Sequence, residues 1–144
     1  MPTDTALFDR RGAVSGDRLD TPVRDIMRPG VIVLSADASV IQAQRALISH
    51  GVHAVLVVEH GTGAPTGWIT SRGLLPWCER DIALAHARSA VAEPPVFIEP
   101  SATAREALEA MRTEGVSRLL VAHGARGLPE GVVADVDLLR LVAS

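Results

Sequence analysis

Residues 51–75 read GVHAVLVVEHGTGAPTGWITSRGLL, and residues 115–139 read GVSRLLVAHGARGLPEGVVADVDLL. Superposed at a shift of 64 positions, Gly51 meets Gly115, Val52 meets Val116, Pro65 meets Pro129 and Gly67 meets Gly131. Leu74 and Leu75 likewise meet Leu138 and Leu139, and the register runs without a gap from residues 31–75 onto 95–139. Glycines, a proline and apolar runs that coincide in one order mark two copies of a single supersecondary unit.

The same local signals surround the quoted stretch in both copies. VHAVLVV at 52–58 and VSRLLVA at 116–122 are runs of β-branched and aliphatic residues at strand length. Turn residues around Pro65 and Pro129 lead into second strands, GWIT at 67–70 and GVVA at 131–134. Upstream, Ser39-Val-Ile-Gln42 and Thr103-Ala-Arg-Glu106 are capping boxes, in which the hydroxyl accepts a first-turn amide and Gln or Glu reaches back. Val40, Ala43 and Leu47, and Ala104, Ala107, Leu108 and Met111, then recur at helical spacing until Gly51 or Gly115 stops the helix. VIVL at 31–34 and VFI at 96–98 open the copies as short strands, and a last short helix begins near Ser71 or Asp135, bent in the first copy by Pro76. The expected class is α+β, with each copy β-α-β-β-α. The boundaries are a flexible N-terminal arm over 1–20, a first repeat over 21–80 and a second over 81–144.

Composition excludes several function classes. The chain has 144 residues, 47% of them hydrophobic but 3% aromatic, so an aliphatic core is expected. A net charge of −3 gives no footprint for nucleic acid or an anionic membrane, and no run is long enough to span a bilayer. The N-terminus has acidic residues and no apolar segment of the secretory kind, and the one cysteine, Cys78, forms no internal disulfide. A cytoplasmic location is expected. His50 and His53 are separated by a helix-ending glycine and have no Asp, Glu or Cys at ligand spacing, so no metal site is read. No catalytic constellation stands out, and Glu79, Asp81 and His86 read as one polar helix face. Trp68 and Trp77 suit a core or a dimer contact.

The segments DIMRPGVIVL, HGVHAVLVV and GWITSRGLL in the first copy, with EGVSRLLV and GVVADVDLL in the second, resemble the cystathionine-β-synthase (CBS) domain in tandem, called a Bateman module. The resemblance covers residues 21–144. It implies two repeats packed with pseudo-two-fold symmetry around two clefts that in many relatives take AMP, ADP, ATP, S-adenosylmethionine or NAD. It also implies a homodimer built on the helices near 40–49 and 104–113, with the short helices contributing.

Carried over residue by residue, the resemblance is incomplete. Its strand-to-helix motif has Gly, a hydroxyl three residues on, and Asp three beyond. The first copy reads Gly67, Thr70, Gly73 and the second Gly131, Ala134, Asp137, so Asp137 alone matches the ribose carboxylate. Where relatives place His-Arg for phosphate, this chain has His53-Ala54 and Ser117-Arg118. The implied ligand contacts are Val31, Val52 and His53 around the adenine, with Thr70, Ser117, Arg118, Val132 and Asp137. Each also has a plain reading: Asp137 suits a helix N-terminus, Arg118 a solvated strand edge, His53 a core histidine and Thr70 ordinary strand packing. The reading is a module that binds an adenosine nucleotide of the AMP, ADP or ATP class, with S-adenosylmethionine or NAD as lesser candidates, and signals to a separate effector protein, with no catalytic cofactor. Against it stands a ligand-free dimerisation or interaction module.

Overall fold

A computed structural model describes residues 18–80, 82, 84–124 and 128–144. Most of the expected arm therefore lies outside the described residues, but Arg18 and Leu19 are tied down. Arg18 Nη1 donates to the Val142 carbonyl at 3.1 Å, and Leu19 packs on a core cluster. The fold is α+β, in two compact units: residues 31–95, and residues 96–144 together with the segment that ends at Gly30.

In the unit 31–95, strands β2 (Val33–Ser35), β3 (Ala54–Val58) and β4 (Pro65–Thr70) form a sheet in that order, β2 parallel and β4 antiparallel to β3. Helix α1 (Val40–His50) packs on one face. Its capping box forms as read, with Ser39 Oγ accepting the Gln42 amide at 3.1 Å, and Gly51 closes the helix at φ +63. Side-chain alternation sends Val55, Val57 and Ile69 toward Val40, Ala43 and Leu47, and leaves Leu56 and Trp68 on the opposite face of the sheet. The helix expected near Ser71 is a 3-10 helix over Arg72–Glu79, where Pro76 withholds the amide that an α-helical turn needs. Glu79 ends it, and His86 stands in extended backbone before a separate 3-10 helix at Ala87–Ala90. Of the polar helix face read through Glu79, Asp81 and His86, Asp81 lies outside the described residues, and Glu79 and His86 do not share a helix.

The other unit repeats the plan. Strands β1 (Arg28–Pro29), β7 (Gly131–Ala134), β6 (Arg118–Val121) and β5 (Phe97–Ile98) lie in that order, with β5 parallel to β6 and the other pairs antiparallel. Helix α2 (Ala104–Glu114), capped by Thr103 and closed by Gly115 at φ +67, packs with α3 (Asp135–Ala143) over Leu119, Val121 and Val133.

The compact units are cut differently from the sequence repeats, because each takes in the segment that leads the other copy. Val23 donates to the Ala102 carbonyl at 2.7 Å and Ala104 to that of Thr21 at 2.8 Å. Sixty-four residues on, Ala87 donates to Ala38 at 2.7 Å and Val40 to Ala85 at 2.9 Å. Val23 and Ala87, both 0% exposed, fill the respective cores. The glycines of the second strands make this possible: a Cβ on Gly67 would stand 2.5 Å from Val91 Cγ1 and 2.6 Å from the Glu93 carbonyl oxygen.

Candidate ligand-binding site

In the unit containing residues 96–144, β7 runs directly into α3, and the peptide groups at that junction need partners. Asp137, at the third position of the helix, supplies one: its Oδ2 accepts the Ala134 amide at 2.8 Å. This is the return half of a capping box whose hydroxyl half is missing, since residue 134 is alanine. Asp135, near which the helix is expected to begin, accepts the amide of Val136 at 2.7 Å.

The Asp137 carboxylate is buried, its side chain 4% exposed, and a buried charge needs compensation. Arg140 Nη1 donates to Oδ1 at 3.2 Å, and Arg28 Nε, from β1, donates to the same oxygen at 3.5 Å. Beside them, Arg118 pairs in register with Ala134 across β6 and β7, and its Nε and Nη2 donate to Ser117 Oγ at 3.2 and 2.9 Å. The Ser117 carbonyl accepts the Asp135 amide, and Val132 pairs with both Leu120 and Arg28. Ser117, Arg118, Val132 and Asp137 are thus gathered at one junction, where two arginines, Arg28 and Arg140, meet one buried carboxylate. Arg28 and Arg140 were missed in the sequence; Arg28 lies upstream of the stretch over which the copies align.

The equivalent junction in the unit 31–95 keeps the opposite half of the box. Thr70 Oγ1 accepts the Gly73 amide at 2.9 Å and is 7% exposed, so its hydroxyl serves the helix start. The Ser71 amide donates to the His53 carbonyl at 2.8 Å, which sets His53 and Thr70 at one end of the sheet. His53 is exposed, not a core histidine, while Val31 and Val52 are half-buried ahead of β2 and β3. No carboxylate fits at position 73 as the backbone stands, because a Cβ there would lie 2.8 Å from Ala92 Cβ and 3.0 Å from Thr70 Oγ1. Trp68, 2% exposed, has an indole N–H with no partner among the described residues.

Among the described residues no group of His, Cys, Asp and Glu could hold a metal ion, and no helix is long and apolar enough to cross a membrane. Cys78 is free and exposed, with its Sγ 3.7 Å from the Leu74 carbonyl.

The family model described as CBS domain matches residues 23–79 and again residues 87–144. The chain belongs to the CBS domain family. Comparison with curated proteins finds no match. Among solved structures, the CBS domain of the bacterial CNNM/CorC family Mg2+ transporter in complex with ATP superposes with a TM-score of 0.77 at 22% identity, over 94% of this chain and 96% of that one. The CBS domain of a CBS domain containing membrane protein from Sphaerobacter thermophilus gives 0.72 at 24% identity, over 95% and 97%. A CBS domain pair in complex with 5'-methylthioadenosine and S-adenosyl-L-methionine gives 0.71 at 20% identity, over 85% and 96%. At these identities the likeness establishes the CBS-pair fold.

Proposed function

We propose that this CBS pair is a non-catalytic regulatory module of the cytoplasm that binds an adenosine nucleotide, AMP, ADP or ATP, at the Asp137 junction. It acts as a homodimer and reports occupancy to a separate effector protein. The observation that carries the reading is a buried carboxylate held by Arg28 and Arg140, with Arg118 on β6 in register with Ala134, whose amide that carboxylate accepts; a ribose next to a phosphate requires such a pairing of charges. Relatives of this fold hold ATP in one case and methylthioadenosine with S-adenosylmethionine in another, which supports the ligand class.

The carboxylate has about four lone-pair positions, and Ala134, Arg140 and Arg28 use three of them. Two ribose hydroxyls therefore need one more. Arg28 makes the longest of the three bonds and its side chain is 59% exposed, so it is the group that yields. Released from Asp137, its guanidinium is free to meet a phosphate together with Arg118, as a planar fork suited to phosphate oxygens. Occupancy then changes the position of β1, which offers a route from ligand to conformation.

The test is calorimetry and thermal shift with adenosine, AMP, ADP, ATP, S-adenosylmethionine and NAD. A ligand at about a hundred times its dissociation constant stabilises by about 2.7 kcal/mol, a melting shift of roughly 8 °C in a chain of this size. Asp137→Asn keeps an acceptor for the Ala134 amide but loses the charge, and affinity should fall by roughly tenfold or more. Arg118→Ala should weaken the nucleotides and spare adenosine. Should no ligand shift the wild-type protein, the site is structural and the chain is a ligand-free interaction module.

A further inference from the structure

The unit 31–95 carries an open groove of about 480 Å³ between α1 and the 3-10 helix at Arg72–Glu79. Small-molecule sites span roughly 300–1,000 Å³, mostly apolar with a few convergent polar groups. Leu47, Ile48, Leu74 and Leu75 line this one with hydrocarbon, and Ile48 is 80% exposed and Leu75 66%. Among the described lining residues Arg80 alone is charged. Its guanidinium lies 4.8 Å above the Trp77 ring, and no carboxylate pairs with it among the described residues. Stacked on an aromatic face, a guanidinium keeps its donors in the plane of its fork, where a carboxylate can meet two of them at once. The remaining charges on the two helices favour an anion on balance: α1 has Arg45 and no acid, and the 3-10 helix has Arg72 against Glu79.

The 64-residue repeat separates what the fold requires from what is particular to this groove. Leu47, Leu74 and Leu75 have apolar counterparts in Met111, Leu138 and Leu139. Trp77 and Arg80, by contrast, fall where the other copy has Leu141 and Ser144, and Ile48 falls where it has Arg112. The stacked arginine and the apolar surface at position 48 therefore belong to the first copy alone, and neither is needed to build the repeat.

We infer that this groove binds a small apolar acid, an aromatic or aliphatic body laid along Leu47, Ile48 and Leu75 with its carboxylate on Arg80. Burial of the body supplies the affinity, and the stacked guanidinium selects the charge. The site lies in the unit that does not contain Asp137, and the inference rests neither on the nucleotide nor on self-association. A second copy laid on the same helices would compete with the acid, so binding is measured at low protein concentration.

The probe is 2-naphthoate, with 2-naphthamide as its uncharged counterpart, in calorimetry on the full chain. Naphthoate should bind saturably and roughly tenfold tighter than the amide. Arg80→Gln should bring naphthoate down to the affinity of the amide. Ile48→Glu, which sets a like charge on the lining, should weaken naphthoate more than the amide. Ile48 and Arg80 are exposed, so both variants are expected to fold, and an unchanged melt verifies this. Cys78, the only cysteine of the chain, lines the groove and is exposed, so it reports where the ligand sits. Saturating naphthoate should slow its alkylation by iodoacetamide several-fold. Binding that leaves Cys78 equally reactive puts the acid elsewhere, equal affinities for acid and amide remove the role of Arg80, and no binding removes the site; each result overturns the inference. Cys78 protection that grows with protein concentration and ignores naphthoate makes a second copy the occupant and overturns it as well.

Discussion

Gly131→Ala isolates the contact that completes one unit. Gly131 is buried in β7, in register with Pro29 of β1. A Cβ there would collide with the Arg28 carbonyl oxygen, and would lie 2.9 Å from Met27 Sδ and 3.2 Å from the Arg28 carbonyl carbon. The Met27 side chain can swing away, but the carbonyl belongs to a backbone held by the β1–β7 ladder and by the Gly30 amide on Glu130 at 3.0 Å. Overpacking costs about 1–3 kcal/mol, and a backbone neighbour that cannot rotate puts this case near about 3. At about 3–4 °C per kcal/mol for a chain of this length, the melt should drop by roughly 10 °C. The control is Gly63→Ala, at φ +71 with nothing within 4 Å of the added carbon. There only the left-handed backbone is strained, at about 1 kcal/mol or roughly 3 °C. The assay is thermal denaturation by circular dichroism, with hydrogen exchange at the Gly30 amide as the local readout. If Gly131→Ala melts within about 2 °C of wild type, or if the control costs more, the close approach of β1 does not constrain position 131 and the reasoning is wrong.

Two further outcomes follow from local geometry. Thr103→Ala leaves the Glu106 amide without its 3.1 Å acceptor and should cost about 1 kcal/mol, while Thr103→Ser should be nearly silent; equal melts for the two would refute the capping role. Arg88 bridges Asp37 at 2.6 Å and Glu59 at 3.3 Å, and its hydrogen bond and charge hold the Asp37 carboxyl below the ordinary carboxylate value while Asp37 raises Arg88 further. A lowered folded-state value means that stability is present above the unfolded value near about 4 and lost as pH falls through the lowered one. The melting gap between wild type and Arg88→Met should therefore be steady above about pH 5 and shrink in acid. A gap that widens in acid contradicts the sign.

The helices were legible because three independent local signals agreed at each. Ser39, Gln42 and Gly51, like Thr103, Glu106 and Gly115, form the caps that their order suggested. The central strands were legible from their Val and Leu runs, though each starts two residues later than read. Val52 and Val116 still donate to carbonyls of the preceding helix, Leu47 and Met111, so those residues belong to the connection. What could not be read is which copy each leading segment joins. Residues 21–30 and 85–95 attach through backbone amides and carbonyls and through small buried side chains such as Val23 and Ala87, and nothing local marks a destination. Asp137 stood out in the sequence, but its partner Arg28 arrives by that exchange.

The same exchange accounts for the unequal motifs of the two copies. Position 28 closes on the α3 start and its equivalent, position 92, closes on the start of the 3-10 helix at Arg72–Glu79. In one unit the pair is Arg28 with Asp137, two charges that compensate each other at the mouth of the junction. In the other it is Ala92 with Gly73, two of the smallest residues, packed so closely that even a methyl group at 73 would strike Ala92. A carboxylate at position 73 would lack both the space and the guanidinium that makes its burial tolerable. Restoring the acid alone would therefore add strain and an uncompensated charge; the first junction would become equivalent to the second only if Ala92 gave way to arginine and the segment 85–95 moved outward with it. The loss of the acid in the first copy is thus coupled to a residue outside the motif.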